Sequence, residues 1–382
     1  MAHFEAARCE EGSGRAAGWD VTARAGALGS GLVPCLLALA LGALVLALTG
    51  KSPWDFYRLL WQQAFGSRVA IAGTLAATTP LIFTGLGIVV AFRAGVFNVG
   101  VEGSLYVGAF AAAWAGFTWL HLPALLLVPL CFGLASVAGV LWALPAAALK
   151  AYLAVDEVVT TFMLNYIAIL LCSYLVNYAF LARGTANSSS PLIAPQAQLP
   201  ALVAGSQLTS AFVLALVCVV ACEIVLRRTT LGLSIRLTGA NPRFAAVAGL
   251  DVRRVILASM VLSGLMGGLA GAGQILGALE RFVDNLSPGY GYTGIAVALL
   301  ARNQPWAVPL AALFFGALAN GGTTAQLFTS VPLDLVNVLQ GAVMLVAVAR
   351  LGVGIRRSRA AALAAPEIAP EIKEGPHVQR VG

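Results

Sequence analysis

The sequence is dominated by apolar runs that are long enough to cross a lipid bilayer. Leu28–Leu48 and Val69–Phe92 are two of them, and each meets the requirement of about 20 helical residues for a hydrocarbon core about 30 Å thick. Backbone amides in lipid must be paired within the chain, and continuous apolar runs therefore predict helices and not a barrel. Only 10% of the 382 residues are charged, against about 25% in soluble domains, which argues against a water-soluble fold.

Ten such runs recur and predict an all-α, polytopic membrane protein of about ten transmembrane helices. The eighth run has about eleven residues, so it is either a kinked crossing or a re-entrant half-helix. The third run is interrupted near its start by Asn98, Gly100, Glu102 and Gly103. Such breaks are tolerated where a helix faces protein or a water-filled path. The runs are Leu28–Leu48, Val69–Phe92, Val96–Phe117, Leu122–Leu149, Val158–Leu181, Ser210–Leu226, Val255–Leu279, Tyr290–Leu300, Trp306–Gly321 and Val331–Ala349.

Basic residues in the short loops predict the orientation of these spans. Arg93 and Lys150 follow the second and fourth runs, and further basic residues follow the sixth, eighth and tenth, which predicts that these loops and both termini are cytoplasmic. The expected organisation is a cytoplasmic N-terminal arm of residues 1–27, a transmembrane domain of residues 28–350 and a disordered cytoplasmic tail of residues 351–382. The first run also resembles a signal peptide, but it is longer than the usual 7–15 apolar residues.

Several other classes of protein are disfavoured by the composition. The net charge of +7 comes from arginines spread over separate loops instead of one basic face, which argues against nucleic acid as a partner. The six cysteines show no CxxC spacing, and the three histidines are scattered, so neither a disulfide framework nor a metal site is indicated. No facing catalytic pair occurs in the apolar runs, so we expect no catalytic residue and no enzyme activity.

The longest predicted cytoplasmic insert is Arg227–Arg254, which contains apolar positions of its own. Asn241 is a candidate helix cap and Pro242 suits the first helical position. The apolar face that follows consists of Phe244, Ala245, Val247 and Ala248, and it ends at Gly249. This pattern predicts a short amphipathic helix that either lies on the lipid surface or docks into a partner protein.

Four blocks of sequence carry a resemblance to a known family. They are FRAGVFNVGVEGSLYVGAF (92–110), DEVVTTFMLNYIA (156–168), GANPRFAAVAGLDVRRVILASMVLSGLMGGLAGAGQILG (239–277) and GYTGIAVALLARNQP (291–305). In this order they resemble the permease subunits of ATP-binding-cassette (ABC) importers for branched-chain amino acids and simple sugars, and within them the nucleoside or simple-sugar branch. Two positions depart from the family pattern: Ser104 stands where glutamine is common, and Ala301 replaces a glycine.

The resemblance implies partners and an energy source that this chain lacks. It implies a second permease subunit, identical or paralogous, a pair of cytoplasmic ATPase subunits, an extracytoplasmic substrate-binding protein and a location in the bacterial inner membrane. The chain has no GxxxxGK[ST] phosphate loop, so ATP must be hydrolysed by the partner, and we expect this chain to bind no cofactor. The insert then becomes the ATPase coupling region, with Asn241, Pro242, Arg243, Phe244, Val247 and Gly249 as its candidate residues.

Five polar residues are candidates for a solute pathway: Asn98, Glu102, Asn165, Tyr166 and Gln274. Charges at membrane depth are costly and hence functional candidates, but Glu102 equally suits a role in capping a helix or pairing with Arg93. Asn165 and Tyr166 suit either hydrogen bonds to a solute or bridges between helices. Asp156 and Glu157, at the start of the fifth run, are interpreted as helix caps.

An ion-coupled secondary transporter is the main alternative function. It requires an ionisable relay deep in the bundle, whereas Glu102, Glu223 and Asp334 all lie near predicted span ends. The sequence therefore favours a permease that moves a small polar solute, most simply a nucleoside or a simple sugar.

Overall fold

The computed structural model describes residues 52–182 and 188–328, together with a few helical residues within 39–47 and 338–345. The predicted N-terminal arm and tail, and most of the first and tenth runs, lie outside the described residues. In the described ranges the chain is helical, and its only strand-like pairings are two isolated bridges, Ser189–Val283 and Ala201–Thr209. The prediction of an all-α fold is confirmed.

Eleven α-helices occur between residues 52 and 328. In chain order they are α1 (Pro53–Phe65), α2 (Arg68–Arg93), α3 (Val101–Thr118), α4 (Ala124–Leu153), α5 (Glu157–Tyr174), α6 (Ala211–Arg228), α7 (Thr230–Ala240), α8 (Pro242–Val247), α9 (Val252–Gln274), α10 (Tyr290–Leu300) and α11 (Val308–Phe328). π-Helical turns extend α5 over Leu175–Ala179 and α9 over Ile275–Leu279. Two 3₁₀ turns, Pro195–Ala197 and Pro305–Ala307, lie in the connections.

Five helical segments are long and apolar enough to cross a membrane: Arg68–Arg93, Ala124–Leu153, Glu157–Ala179, Val252–Leu279 and Pro305–Thr323. The helices α3 and α6, with 18 residues each, coincide with the predicted third and sixth spans, and α10 has 11 residues. The chain is thus a multi-pass membrane protein, while the count of ten spans stays a prediction.

The helix α9 lies at the centre of the bundle and packs closely against α3 and α4 through glycines. A Cβ on Gly264 would lie 2.6 Å from the Gly139 carbonyl oxygen, and a Cβ on Gly108 would lie 2.5 Å from the Gly268 Cα. Small residues of this kind allow helix backbones to approach each other in a membrane. The glycines of the GLMGGLAGAG run (264–273) therefore serve as surfaces for close helix packing.

Two helices of the bundle begin inside it instead of at a surface loop. After α2, residues 94–100 are non-helical, with Gly95 at φ +78°, and α3 then begins at Val101. After α9, residues 280–289 are also irregular, and α10 begins at Tyr290. The predicted break in the third run is confirmed, although it falls at residues 94–100, and Glu102 and Gly103 already belong to the first turn of α3.

The start of α5 confirms one predicted cap. The Asp156 carboxylate accepts hydrogen bonds from the backbone N–H groups of Val158 at 2.8 Å and Val159 at 3.2 Å. Its neighbour Glu157 instead forms an ion pair with Lys150 at the end of α4. Together these two contacts fix the turn between α4 and α5.

The predicted cytoplasmic insert contains two helices. The shorter, α8, begins where the sequence predicts, because the Asn241 side chain accepts hydrogen bonds from the N–H groups of Arg243 and Phe244 and Pro242 is the first helical residue. The longer, α7, is absent from the sequence-based prediction. Thr229 caps α7 by accepting a hydrogen bond from Gly232 N–H, and Gly239 of α7 packs against the backbone of Arg93 and Gly95.

Candidate solute pathway

The N-terminal ends of α3 and α10 meet at a buried contact, which we call the junction: Glu102, Ser287 and Gly291. Glu102 lies in the first turn of α3 and is only 1% exposed, and its Oε2 accepts a hydrogen bond from Gly291 N–H in the first turn of α10. The Ser287 side chain lies beside this carboxylate. Ser287 Oγ also accepts from Tyr290 N–H at 3.0 Å. The junction therefore caps the start of α10 with a carboxylate and a hydroxyl.

The predicted alternative of a Glu102–Arg93 pair is wrong. Arg93 Nε donates to the Asn303 carbonyl oxygen at 2.7 Å, and Arg93 NH2 donates to Gln304 Oε1 at 2.9 Å. The guanidinium thus holds the turn after α10, whereas the carboxylate holds the start of α10. Glu102 stabilises α10 because its carboxylate accepts a hydrogen bond from an N–H group at the start of that helix and lies at the positive end of the α10 dipole. This is a capping role.

Asn98 and Asn165 tie the irregular segment before α3 to two other helices. Asn165 of α5 accepts a hydrogen bond from Gly103 N–H at 2.8 Å and donates to the Val99 carbonyl oxygen at 3.0 Å. Asn98 donates to Ser263 Oγ of α9 at 2.8 Å and accepts from Gly100 N–H at 2.8 Å. Both amides are buried, and their hydrogen bonds join backbone and helices, which fits the bridging role that the sequence left open.

Tyr166 lies beside this framework but on the outside of the described bundle. Its side chain is 51% exposed, and its ring lies 5.1 Å from that of Phe162. Phe162 in turn lies 6.3 Å from the ring of Tyr292, whose hydroxyl accepts a hydrogen bond from Asn165 Nδ2 at 3.3 Å. Tyr166 and Asn165, adjacent in sequence, therefore point to different environments.

Gln274 lines a cavity of about 540 Å³ on the other side of α10. The cavity lies among α1, α2, α9, α11 and the loop before α6, and the lining residues in the described ranges are uncharged. Tyr290 lines this cavity, whereas the ring of Tyr292 lies near the ring of Phe162 on the other side of α10. Gly291, between the two tyrosines, contacts Glu102. The polar lining side chains are Gln63, Ser67, Ser206, Gln207, Gln274, Tyr290, Asn320 and Thr323.

The candidate coupling helix α8 presents apolar side chains to its surroundings. Val247 is 89% exposed and Phe244 is 59% exposed, whereas Ala245 between them is buried against the rest of the chain. Arg243 is exposed beside them, and Gly249 follows the helix with φ +83°, a left-handed conformation that glycine adopts without strain. The helix is thus anchored on one side and leaves two apolar side chains available on the other.

Three residues of the site were not predicted from the sequence: Ser287, Gly291 and Tyr292, which hold the junction and its surroundings. Gly103, which the sequence marks only as part of a break, allows close packing because a Cβ there would lie 2.8 Å from Trp142 Nε1. A usable signal was present, since a serine and a proline precede the short apolar run at residues 290–300 and alternating tyrosines and glycines begin it. Among the described residues, no group of three histidine, cysteine, aspartate or glutamate side chains is placed to hold a metal.

A multi-pass helical bundle in which two helices begin at a buried junction has the discontinuous helices that are typical of membrane transporters. Residues 70–348 match the family described as branched-chain amino acid transport system / permease component, and the chain belongs to this family. It is thus a permease subunit of an ABC transporter, and ATP is used by a partner ATPase. The family is a transport component and not a class of enzymes.

Individual relatives cover most of the chain. The guanosine ABC transporter permease protein NupP of Bacillus subtilis is 36% identical over 82% of this chain and 91% of its own length. The glucose ABC transporter permease protein TsgB13 of Haloferax volcanii is 35% identical over 84% of this chain and 86% of its own length. A second guanosine permease of Bacillus subtilis, NupQ, is 28% identical over 69% of this chain and 86% of its own length. No solved structure matches the chain.

Proposed function

We propose that this permease imports a neutral polar solute, a nucleoside or a simple sugar, across the bacterial inner membrane. The observation that carries the proposal is that Glu102 already occupies the N-terminus of α10. In transporters with discontinuous helices, such N-termini serve to bind anionic groups of the solute. Here the carboxylate of the chain itself fills that position, so a solute that brought a second negative charge would be repelled.

The other candidate pathway groups support the same class of solute. Asn98, Asn165, Tyr166 and Gln274 offer amides and a phenol, which suit hydroxyl groups and base edges and not ions. The buried Asn98 and Asn165 hold the helices that form the wall of the path. The exposed Tyr166 on one side of α10 and the cavity-lining Gln274 on the other side are the two candidate positions for contact with a solute. The names of the relatives agree with this interpretation, since guanosine and glucose are both uncharged.

The helix α8 is the proposed docking element for the ATPase. Asn241 and Pro242 start the helix, Gly249 terminates it, and Phe244 and Val247 are the apolar anchors that enter a groove of the partner. Arg243 adds a charge at the rim of this contact. Because α7 packs against the backbone of Arg93 and Gly95, movement of the insert passes directly to the segment before α3.

The second permease is proposed to be a paralogue. NupP and NupQ are two permeases of one organism with the same named solute, and this chain is 36% identical to the first and 28% identical to the second. The chain therefore corresponds to one member of an unlike pair. The complete importer is proposed to contain an extracytoplasmic substrate-binding protein as well, and the proposed orientation places both termini of this chain in the cytoplasm.

The proposal is tested by reconstituting the permease pair, the ATPase and the binding protein in proteoliposomes. We expect uptake of labelled guanosine or glucose and at least tenfold slower uptake of the anionic guanosine monophosphate at equal concentration. Assays of the binding protein alone with the same solutes separate selection by the binding protein from selection by the permease. Rapid uptake of the nucleotide by a transporter whose binding protein accepts both would contradict the neutral-solute proposal.

A further inference from the structure

The exposed side of α5 differs in chemistry from the exposed sides of its neighbours. Along α6, and along α4 before its last turn, the large exposed side chains are aliphatic, which is the composition expected for contact with lipid. They are Leu125, Leu126, Val137 and Leu141 of α4, and Val213, Leu216, Val217, Val220 and Ile224 of α6. On α5 the exposed side chains include aromatic and polar residues.

One flank of α5 and of the π-helical turn that extends it, which we call the α5 stripe, carries Phe162, Tyr166, Leu170, Ser173 and Asn177. Spacings of three and four residues place all five on the same side. The outer part of the stripe opens into a shallow recess of about 440 Å³, lined by Leu170, Ser173, Tyr174, Asn177 and Tyr178. The opposite flank of the exposed side carries Met163, Ile167 and Leu171, and nearer the outer end of the span it carries Tyr174 and Tyr178.

The inner part of the stripe is held by the buried framework of the site. The rings of Phe162 and Tyr166 lie 5.1 Å apart, and Tyr292 of α10 adds a third ring 6.3 Å from Phe162. The hydroxyl of Tyr292 accepts a hydrogen bond from the Asn165 side chain. The same side chain accepts a hydrogen bond from Gly103 N–H of α3. The three rings are therefore positioned beside the junction.

The depth of Tyr166 decides between contact with lipid and contact with a water-filled path. Tyrosines near the ends of a span sit favourably at the membrane interface, which accounts for Tyr174 and Tyr178. Tyr166 lies near the middle of the 23-residue span Glu157–Ala179, where a phenol has no water or headgroup to bind. Polar side chains at that depth face protein or an aqueous cavity.

We infer that the α5 stripe and Tyr292 line the solute path, and that their rings stack against the planar base of a nucleoside. The inference rests on the proposed function and selects the nucleoside over the simple sugar, because a base presents a flat π-face to each ring. The second permease forms the opposite wall of this path. The recess near Ser173 and Asn177 is the outer entrance. The Asn177 Nδ2 group donates to the Ser173 carbonyl oxygen at 2.8 Å and to Ser173 Oγ at 3.2 Å, so Asn177 Oδ1 and the Ser173 hydroxyl are the groups that meet the ribose.

The first test measures uptake by the complete reconstituted transporter with tritiated guanosine and with labelled glucose as probes. Tyr166→Leu and Phe162→Leu should each raise KM for guanosine about tenfold, the loss expected for one stacking partner, while Tyr166→Phe stays close to the parent. Ile167→Ala is the matched control, since Ile167 is 52% exposed on the opposite flank, and its KM should not change.

The outcomes separate the inference from the proposed function. If the parent imports neither probe with ATP, the proposed function itself is contradicted. If the parent imports glucose but not guanosine, or if Tyr166→Leu and Phe162→Leu both keep the parental KM for guanosine, the stacking inference is overturned and the transport function stands.

A second measurement does not depend on the activity of the variants. In a background without native cysteines, Tyr166→Cys in the assembled transporter should react with a water-soluble thiol reagent, and guanosine should slow the reaction. Ile167→Cys, facing lipid, should remain unreactive because its thiol cannot ionise there. Equal reactivity at both positions, or none at either, would overturn the assignment of this flank to the path.

Discussion

Glu102 and Gly291, 189 positions apart in the sequence, are joined by a hydrogen bond from the Gly291 N–H to Glu102 Oε2. A Cβ on Gly291 would lie 2.6 Å from Glu102 N, so glycine is required for this approach. The contact fixes the start of α3 against the start of α10 in the interior of the bundle. The neighbouring Tyr290 then lines the cavity that contains Gln274, and Tyr292 lies near the ring of Phe162 on the other side of α10.

Substitutions of Glu102 should separate its hydrogen bond from its charge. Glu102→Ala leaves the buried Gly291 N–H without an acceptor, at a cost of about 1–3 kcal/mol. Glu102→Gln keeps an acceptor oxygen and loses only the attraction to the helix dipole, worth up to about 2 kcal/mol. We expect the melting temperature in detergent and the rate of uptake to fall in the order parent, glutamine variant, alanine variant. Parental stability and uptake in both variants would remove Glu102 from the site.

Gly291→Ala should displace α10 from Glu102, because the added methyl group overlaps the backbone of α3. Overpacking of this kind costs about 1–3 kcal/mol. Gly133→Ala in α4 is the matched control, since a Cβ there meets no atom within 4 Å and alanine favours a helix by about 0.5–1 kcal/mol. Thermal unfolding of the two purified variants provides the comparison, and equal melting temperatures would contradict the close approach.

Asn165→Ala should destabilise the bundle, because it leaves Gly103 N–H and the Val99 carbonyl oxygen without their partner. Each unsatisfied buried group costs about 1–3 kcal/mol. Ser136→Ala serves as a control, since the Ser136 hydroxyl bonds only to the Phe132 carbonyl oxygen of its own helix. A similar, small change in melting temperature for both variants would show that Asn165 is not a bridge.

Truncation of the anchors on α8 should weaken assembly with the ATPase. Phe244→Ala and Val247→Ala should each cost about 1–3 kcal/mol of association, measured by co-purification at matched membrane abundance. The control is Leu202→Ala, an exposed apolar residue in the loop before α6, far from α8 in the sequence. Arg243→Ala should weaken binding mainly at low salt, because exposed charges are screened. An interfacial helix on lipid predicts instead that the double variant binds the ATPase normally.

The orientation is tested by labelling single cysteines introduced into a cysteine-free background. Ala204→Cys, in the exposed loop before α6, should react with an impermeant maleimide on intact cells. Arg243→Cys, at α8, should react only after the membrane is permeabilised, as the basic loops require. Labelling of Arg243→Cys from the outside would reverse the proposed topology.

Local sequence signals predicted the features that depend on neighbouring residues. Asn241 followed by Pro242 identified the start of α8, and the polar interruption near Asn98 identified the break before α3. These features follow from capping chemistry and from the cost of polar groups in lipid, which act within a few residues.

Pairings between distant segments could not be predicted in this way. The partner of Glu102 is Gly291 and not the nearby Arg93, because the fold brings the start of α10 to the carboxylate and the turn after α10 to the guanidinium. The helix α7 was not predicted, because its few apolar positions suit a loop at the membrane surface as well as a helix. Its cap at Thr229 is visible in sequence only once the end of α6 is known.

ATP-dependent uptake by the complete transporter tests the central claim most directly. Proteoliposomes that contain this permease, its paralogue and the ATPase are loaded with ATP and supplied with the binding protein and labelled guanosine. We predict accumulation that requires internal ATP and continues when ionophores collapse the proton and sodium gradients. Uptake that proceeds without ATP and stops when the ionophores are added would contradict the account and identify an ion-coupled transporter.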